Sequence, residues 1–316
     1  MRYYNLSLFN VGDPNPVRTW TSHPGGQFDP GALNLEFDIP ITPMDTPVGG
    51  QTITIEGISL TDLQQAQAFT GMQFVLQGGM KTGLPLANPL QAGVIAQGFV
   101  FQSFGNWEGT EMTLDFVIYP STYNHNDPGN IVIDWKANAS LSDALMQTMG
   151  IAFPGIQVSV NISQDLMLGH DEVGYYASLD QLAMTLGDIT EQQGHRVFIV
   201  MQNGSINIFD DTYVPPPIQI NFTDLIGQPT WINPNTMQLK VVMRGDIQIG
   251  QQIQLPPGMQ SNPGIVRTTA QSLPSSMKYQ TSFTGVFQVT EMRHLGNFRA
   301  SDGASWASII NCVVVS

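Results

Sequence analysis

The chain has 316 residues, 42% of them apolar and 11% charged, with 25 acidic against 11 basic side chains and a net charge of −14. Its length suits two or three domains of roughly 100–200 residues, and its charged fraction falls well below the usual figure of about 25%. The acidic balance and the lack of any Lys/Arg run exclude a binder of phosphate backbones, which needs clustered cations to displace counterions. A neutral, amide-rich surface fits a subunit covered by partners, and equally a soluble domain coated in Gln, Asn, Ser and Thr. Acidic or neutral walls also suit a conduit that DNA crosses without sticking. The lone cysteine, Cys312, forms no disulfide within the chain and fits a reducing compartment. Its alternating context, IINCVVV, marks it as a core residue rather than a nucleophile. The N-terminus, MRYYNLSLFNVG, carries no secretory signal pattern. No apolar run approaches the 18 or so residues that span a bilayer, so no membrane anchor is expected.

Residues 1–122 read as all-β. LNLEFDIPI and TITIEGISL alternate with a period near two, TDLQQAQAF is a short helical stretch, and FVLQGGM, GVIAQGFVFQSFG and MTLDFVIYP follow as strands. Turns are marked by Gly49-Gly50, Gly78-Gly79, Gly83-Leu84-Pro85 and Asn88-Pro89, a density that suggests a small barrel or sandwich. YNHNDPGN, residues 123–130, reads as a linker. Residues 123–212 then change to mixed α/β, with a near-repeat of strand, Ser-capped helix and strand. Ser140 and Ser178 stand at cap positions, and Asp143 and Asp180 lie in the first turns, where the helix dipole favours acid. Residues 190–194 end the second helix, and VFIVMQNGSINIFDD forms a hairpin over Asn203-Gly204. Residues 213–316 return to β, with strands at 237–243, 247–255, 285–295 and 305–315. The intervening segment, 258–282, is long, polar and rich in Pro and Ser, and fits a loop that orders against a neighbouring subunit.

No constellation for catalysis stands out, and no cofactor or metal site is expected. His23, His125, His170, His195 and His294 show no metal-ligand spacing, although distant His and acidic residues can still meet in space. The pairs Asp210-Asp211 and Glu108/Glu111 suit acid–base work only if each faces across a cleft. Adjacent acids at a strand end are more often solvated. The Gly-rich spots match neither a P-loop nor a dinucleotide fingerprint, and no G-x-S-x-G elbow occurs. Trp107, in a Gly-Asn-Trp-Glu-Gly tip, and Trp231, after the Pro229 turn, read either as interface anchors or as plugs at a barrel end.

The order of three stretches carries a family resemblance. These are SLDQLAMTLGDITEQQGHRVFIVMQNGSINIFDD, then DLIGQPTWINPNTMQLKVVMRGDIQIGQQIQLP, then FTGVFQVTEMRHLGNFRASDGASWASIINCVVV. The chain resembles the baseplate hub proteins of contractile-tailed bacteriophages, in the tail-protein-D or late-control group. In the closing stretch the strand–His–loop–Trp–strand positions are His294, 296–304 and Trp306. The resemblance implies a mainly β chain with two small tail-tube-like β-barrels (1–122 and 213–316) flanking a central mixed α/β domain (123–212). It implies a non-enzymatic structural subunit of the virion tail, made in the host cytoplasm. Its expected partners are itself in a homotrimer, the tail tube protein, the central spike protein and other baseplate subunits, with DNA only in transit. Candidate assembly contacts are Trp107, Pro229, Trp231, Met259 and Gln260. The alternatives are a tail-tip cell-wall hydrolase, which needs two carboxylates about 5–9.5 Å apart, and a glycan-binding receptor module.

Overall fold

Period-two alternation of apolar and polar residues builds most of the chain. The computed structural model describes residues 1–46, 48, 51–81, 91–119, 130–256, 265–267, 272–274 and 285–315. The turns expected at Gly49-Gly50, Gly83-Leu84-Pro85 and Asn88-Pro89, nearly all of the 123–130 linker and most of 258–282 lie outside the described residues.

The first segment forms β1 (Arg2–Phe9), β2 (Pro16–Thr21), β3 (Asn34–Ile41), β4 (Gln51–Glu56), α1 (Leu60–Gln64), β5 (Gln73–Met80), β6 (Gly93–Glu108) and β7 (Glu111–Tyr119). The middle segment forms β8 (Ile131–Trp135), α2 (Leu141–Ala152), β9 (Gln157–Asn161), β10 (Glu172–Tyr176), α3 (Leu179–Glu191), β11 (Phe198–Gln202) and β12 (Ser205–Phe209). The last forms β13 (Ile218–Gln219), β14 (Thr230–Trp231), β15 (Thr236–Val242), β16 (Gln252–Gln254), β17 (Ile265–Arg267), β18 (Ser272–Pro274), β19 (Val286–Asn297) and β20 (Trp306–Val314). The strand expected at 247–255 is cut to the short β16.

Residues 1–41, 50–119 and 216–316 make one compact unit, and 42–49 with 120–215 make a second. In the first unit the strands pair in the order β14-β15-β20-β19-β3-β4-β7-β6-β5-β1-β2, with β16 also on β19 and β13 on β16. The chain is therefore mainly β, but the two closed barrels expected from the sequence do not appear among the described residues. The cause is β19. It is 12 residues long, carries a bulge at Thr290, and pairs with β20, β16 and β3. A bulge bends and twists a strand locally. One long strand thus runs the early and late sets into a single open path.

The inner face is apolar on both sides of that join. Leu6, Leu8, Leu35, Phe37, Ile53, Ile55, Leu114 and Phe116 from the early strands pack in one cluster with Met243 and Trp306 from the late ones. Full burial of such a side chain contributes about 1.5–3 kcal/mol, so this shared face holds the strand sets together more than any turn does. Trp306 Nε1 donates to the Gly79 carbonyl at 2.9 Å, and its ring meets Phe37 edge-on at 5.6 Å. A methyl at Gly296 would overlap that Phe37 ring. The Arg2 guanidinium donates to the carbonyls of Asn297 at 2.7 Å and Phe298 at 3.2 Å, and to those of Ala300 and Asp302. Arg299 returns the tie, donating to the carbonyls of Pro30 and Ala32.

The second unit has a two-stranded antiparallel sheet, β8-β10, and a three-stranded one in which β12 pairs antiparallel with β11 and parallel with β9. Helices α2 and α3 bury Leu141, Leu145, Met149, Leu179, Leu182 and Leu186 against Ile133, Trp135, Ile206 and Ile208. Ser140 accepts from the Asp143 amide and Ser178 from the Gln181 amide, so both caps form as their sequence requires. Asn203 and Gly204 take φ of 52° and 74°, the left-handed pair that closes the β11–β12 hairpin. Residues 42–46 join this unit through Met44, whose amide donates to Ile199 at 2.8 Å, and Asp45, which pairs with Arg196 at 2.8 Å. Among the described residues no helix is long and apolar enough to cross a membrane.

Candidate functional site

The β6–β7 hairpin is where polar and aromatic groups are left outward. β5 pairs with β6 only as far as Gln73 opposite Phe99, while β6 runs on to Glu108 beside β7. Phe101, Phe104 and Trp107 are exposed on this extension, Trp107 to 63%. The Trp107 indole donates to the Gly109 carbonyl at 3.0 Å, which fixes the ring across the turn. Gly109 takes a φ of 61°, as the tight reversal requires. In register, Trp107 lies opposite Met112 and Glu108 opposite Glu111. Like charges directly opposite on neighbouring strands destabilise a hairpin, so this pair needs a reason beyond folding.

The other assembly candidates fall elsewhere. Pro229 and Trp231 are buried within their own chain, and the Trp231 ring packs on Phe287 at 6.3 Å. Trp231 sits on β14, at the opposite end of the strand path from β2. Met259 and Gln260 lie outside the described residues.

A set of buried polar groups in the first unit is linked around Arg244, while the buried Trp20 Nε1, Gln51 Oε1 and Ser103 Oγ have no partner. Arg244, with its side chain 4% exposed, donates from Nε to Asp246 at 2.8 Å and from Nη2 to the same carboxylate at 2.7 Å. It reaches Asp224 at 3.3 Å, and Gln91 donates to Asp224 at 3.1 Å. The Arg244 amide donates to Ser308 Oγ at 3.1 Å, and Ser308 Oγ lies 2.9 Å from His294 Nδ1. This Ser–His pair has nucleophile-like spacing, yet the two residues are 0% and 1% exposed. Burial pushes the His294 imidazole down to about 4, so it is neutral at pH 7. Burial likewise pushes the Cys312 thiol up, and its Sγ donates to the Met237 carbonyl, as a core residue would.

In the second unit, His195 meets the Asp210-Asp211 pair, sixteen positions from His195 to Asp211, an encounter that linear spacing could not reveal. One ligand atom from each lies within 4.8 Å of the others. His195 Nδ1 lies 2.6 Å from Asp211, whose hydrogen bond raises the imidazole pKa. Asp210 is buried and accepts from the amides of Ser163 at 2.6 Å and Thr212 at 2.9 Å and from the Thr212 hydroxyl at 2.6 Å. These bonds clasp the loop after β12. Glu108 and Glu111, the other acidic pair, oppose each other at the exposed hairpin end.

No profile of a known family matches the sequence, and no curated protein matches it either. Solved structures do. The 43 kDa tail protein of prophage MuSo2 from Shewanella oneidensis aligns with a TM-score of 0.52 at 8% identity, over 100% of this chain and 98% of that one. The chain shares its fold. The Escherichia coli c3393 protein aligns with a TM-score of 0.51 at 8% identity, over 90% of this chain and 73% of that one. That protein is a type VI secretion component with structural similarity to the T4 bacteriophage tail proteins gp27 and gp5. The half-lidded Francisella PdpA–VgrG complex gives a TM-score of 0.50 at 8% identity, over 100% of this chain and 58% of that one. At such identity the fold is what is shared, and a role has to be argued from the chain itself.

Proposed function

We propose that this chain is a structural, non-enzymatic subunit of a phage-type tail baseplate hub, assembling as a trimeric ring between tail tube and central spike. The observation that carries the reading is likeness to a prophage tail protein over the full length of both chains. The likeness to a protein compared with gp27 and gp5, and to a complex containing VgrG, supports a place beside a spike. In this reading the early and late strand sets are two tail-tube-like halves joined by β19, and the α/β unit is an insert. Its partners are further copies of itself, the tube protein, the spike and other baseplate subunits, within the virion tail. The outward positions of β3, β4 and β7 carry Glu36, Glu56 and Asp115 among Thr52, Thr54 and Thr113. Such a face repels phosphate and suits a wall that DNA passes without sticking.

Light scattering on the purified chain tests the ring: the expected mass is three times 34.5 kDa. A monomer persisting at high concentration, alone and with tube and spike proteins added, would overturn it. A second reading, a glycan-binding tail module, is favoured by the exposed Trp107 ring alone. Glycan-array binding abolished by Trp107→Ala would carry that reading instead.

A further inference from the structure

Most cations whose side chains are described are paired within the chain. Arg18 pairs with Asp62, Lys136 with Asp134 and Asp171, Arg196 with Asp45 and Glu191, Arg244 with Asp224 and Asp246, and Arg293 with Asp38. Arg2 and Arg299 are held by backbone carbonyls, and Lys81 lies 4.3 Å over the Tyr3 ring. Among the described side chains, Lys240 is the one lysine or arginine with no such partner. It stands half-buried on β15, opposite Ile309, with Val242 two positions along the same face. Beside it Gln238 donates to Asn311 at 3.0 Å and Asn311 to the exposed Glu291 at 2.9 Å; Glu291 shares that face, but no ion pair among the described residues joins it to Lys240.

The hairpin end of β6–β7 has the opposite want. Glu108 and Glu111 face each other uncompensated, next to an exposed indole backed by Met112. Two carboxylates around one ammonium remove the repulsion between them, and an indole suits the apolar flank that Ile309 and Val242 present. The tip and Lys240 belong to the same compact unit, but five strands, β20, β19, β3, β4 and β7, separate β15 from β6. The sheet curls back far enough for the Gly245 amide, beyond β15, to donate to the Gln91 carbonyl before β6 at 2.8 Å; the 16 residues of β6, at about 3.3 Å each, then carry the tip out of reach of Lys240 within one chain. Complementary features on different surfaces make a head-to-tail contact, the kind that closes rings.

We propose that Trp107, Glu108 and Glu111 of one copy dock on the face around Lys240 of the next. This rests on the ring reading and assigns it a contact. The test is light scattering of the full chain across a concentration series, with three variants. Glu108→Lys/Glu111→Lys and Lys240→Glu are each expected to raise the concentration at half-assembly by about tenfold or more. The combination of all three is expected to recover most of that loss. All these positions are at least partly exposed, and an unchanged urea midpoint in a dilute, unassembled sample verifies that each variant folds.

If the wild type assembles and neither charge reversal weakens it, the contact is wrong and the ring reading stands. If the hairpin reversal weakens assembly while Lys240→Glu does not, the tip meets a different surface and the assignment of Lys240 falls. If the combined variant is as weak as its parents, the pairing between the two sites is overturned. A wild type that stays monomeric removes the ring reading and this contact with it.

Discussion

Two regions of the first unit treat charge in opposite ways. Where early and late strands join, polar groups are enclosed and answered: Arg2 sits in a cage of carbonyls, Arg244 between Asp224 and Asp246, and His294 against Ser308. At the β6–β7 tip, Glu108 and Glu111 face each other in the open beside an exposed Trp107. A buried polar group without a partner is costly, so the junction must be complete before the chain is stable. An exposed group without a partner costs little, so the tip can wait for one. Substitutions at the junction should therefore act on folding, and substitutions at the tip on association.

The largest expected effect is Arg244→Met. It removes the cation and leaves the buried Asp224 without its ion pair, a loss of about 3–5 kcal/mol in a urea unfolding curve. Retained stability would mean that water reaches the junction. His294 comes next and gives the junction a pH signature. Its folded value of about 4 lies below its ordinary 6.5, so the unfolded chain takes up the proton first. The contribution is complete above about pH 6.5 and drains as pH falls toward 4, by at most about 3 kcal/mol. His294→Gln should flatten that part of the profile. His195 runs the other way: Asp211 raises its value, so its contribution is present below about pH 6.5 and fades as pH rises through the raised value. Urea curves for His294→Gln and His195→Asn should therefore part in opposite directions across this range. Gly296→Ala follows, because its methyl would press into the Phe37 ring; overpacking of this kind costs about 1–3 kcal/mol.

The two regions also differ in how far the sequence foretells them. Local chemistry is legible. The Ser140 and Ser178 caps, the Asn203-Gly204 hairpin, the burial of Cys312 and the placing of Trp107 at a turn each follow from a few neighbouring residues. The mainly β character follows from alternation. The junction is not legible, because its partners are remote: Arg2 finds the 297–302 carbonyls, and β19 pairs with β3 across some two hundred and fifty positions. Alternation shows which face of a strand is buried and says nothing of which strand it will pair with, so nothing in the pattern corrects the two barrels that the resemblance implies. The Lys240 face was missed for a related reason. A lysine in a strand pattern looks ordinary until every other cation whose side chain is described has been matched to its partner.

The smallest expected effects are at the tip, and their sign is informative. Trp107→Ala should leave the unfolding midpoint of the isolated chain within about 0.5 kcal/mol of wild type, since its ring covers no core. Glu111→Gln should do slightly better than wild type. It relieves the repulsion with Glu108 across the hairpin, a gain of about a few tenths of a kcal/mol in a dilute, unassembled sample. The same change removes one of the two carboxylates offered to a neighbour, so it should weaken association while strengthening the fold. A variant that gains stability and loses assembly separates the two roles more sharply than one that loses both, because misfolding cannot produce it. If Glu111→Gln instead lowers the unfolding midpoint, the carboxylate supports the hairpin itself, and the contrast between an answered junction and an open tip disappears.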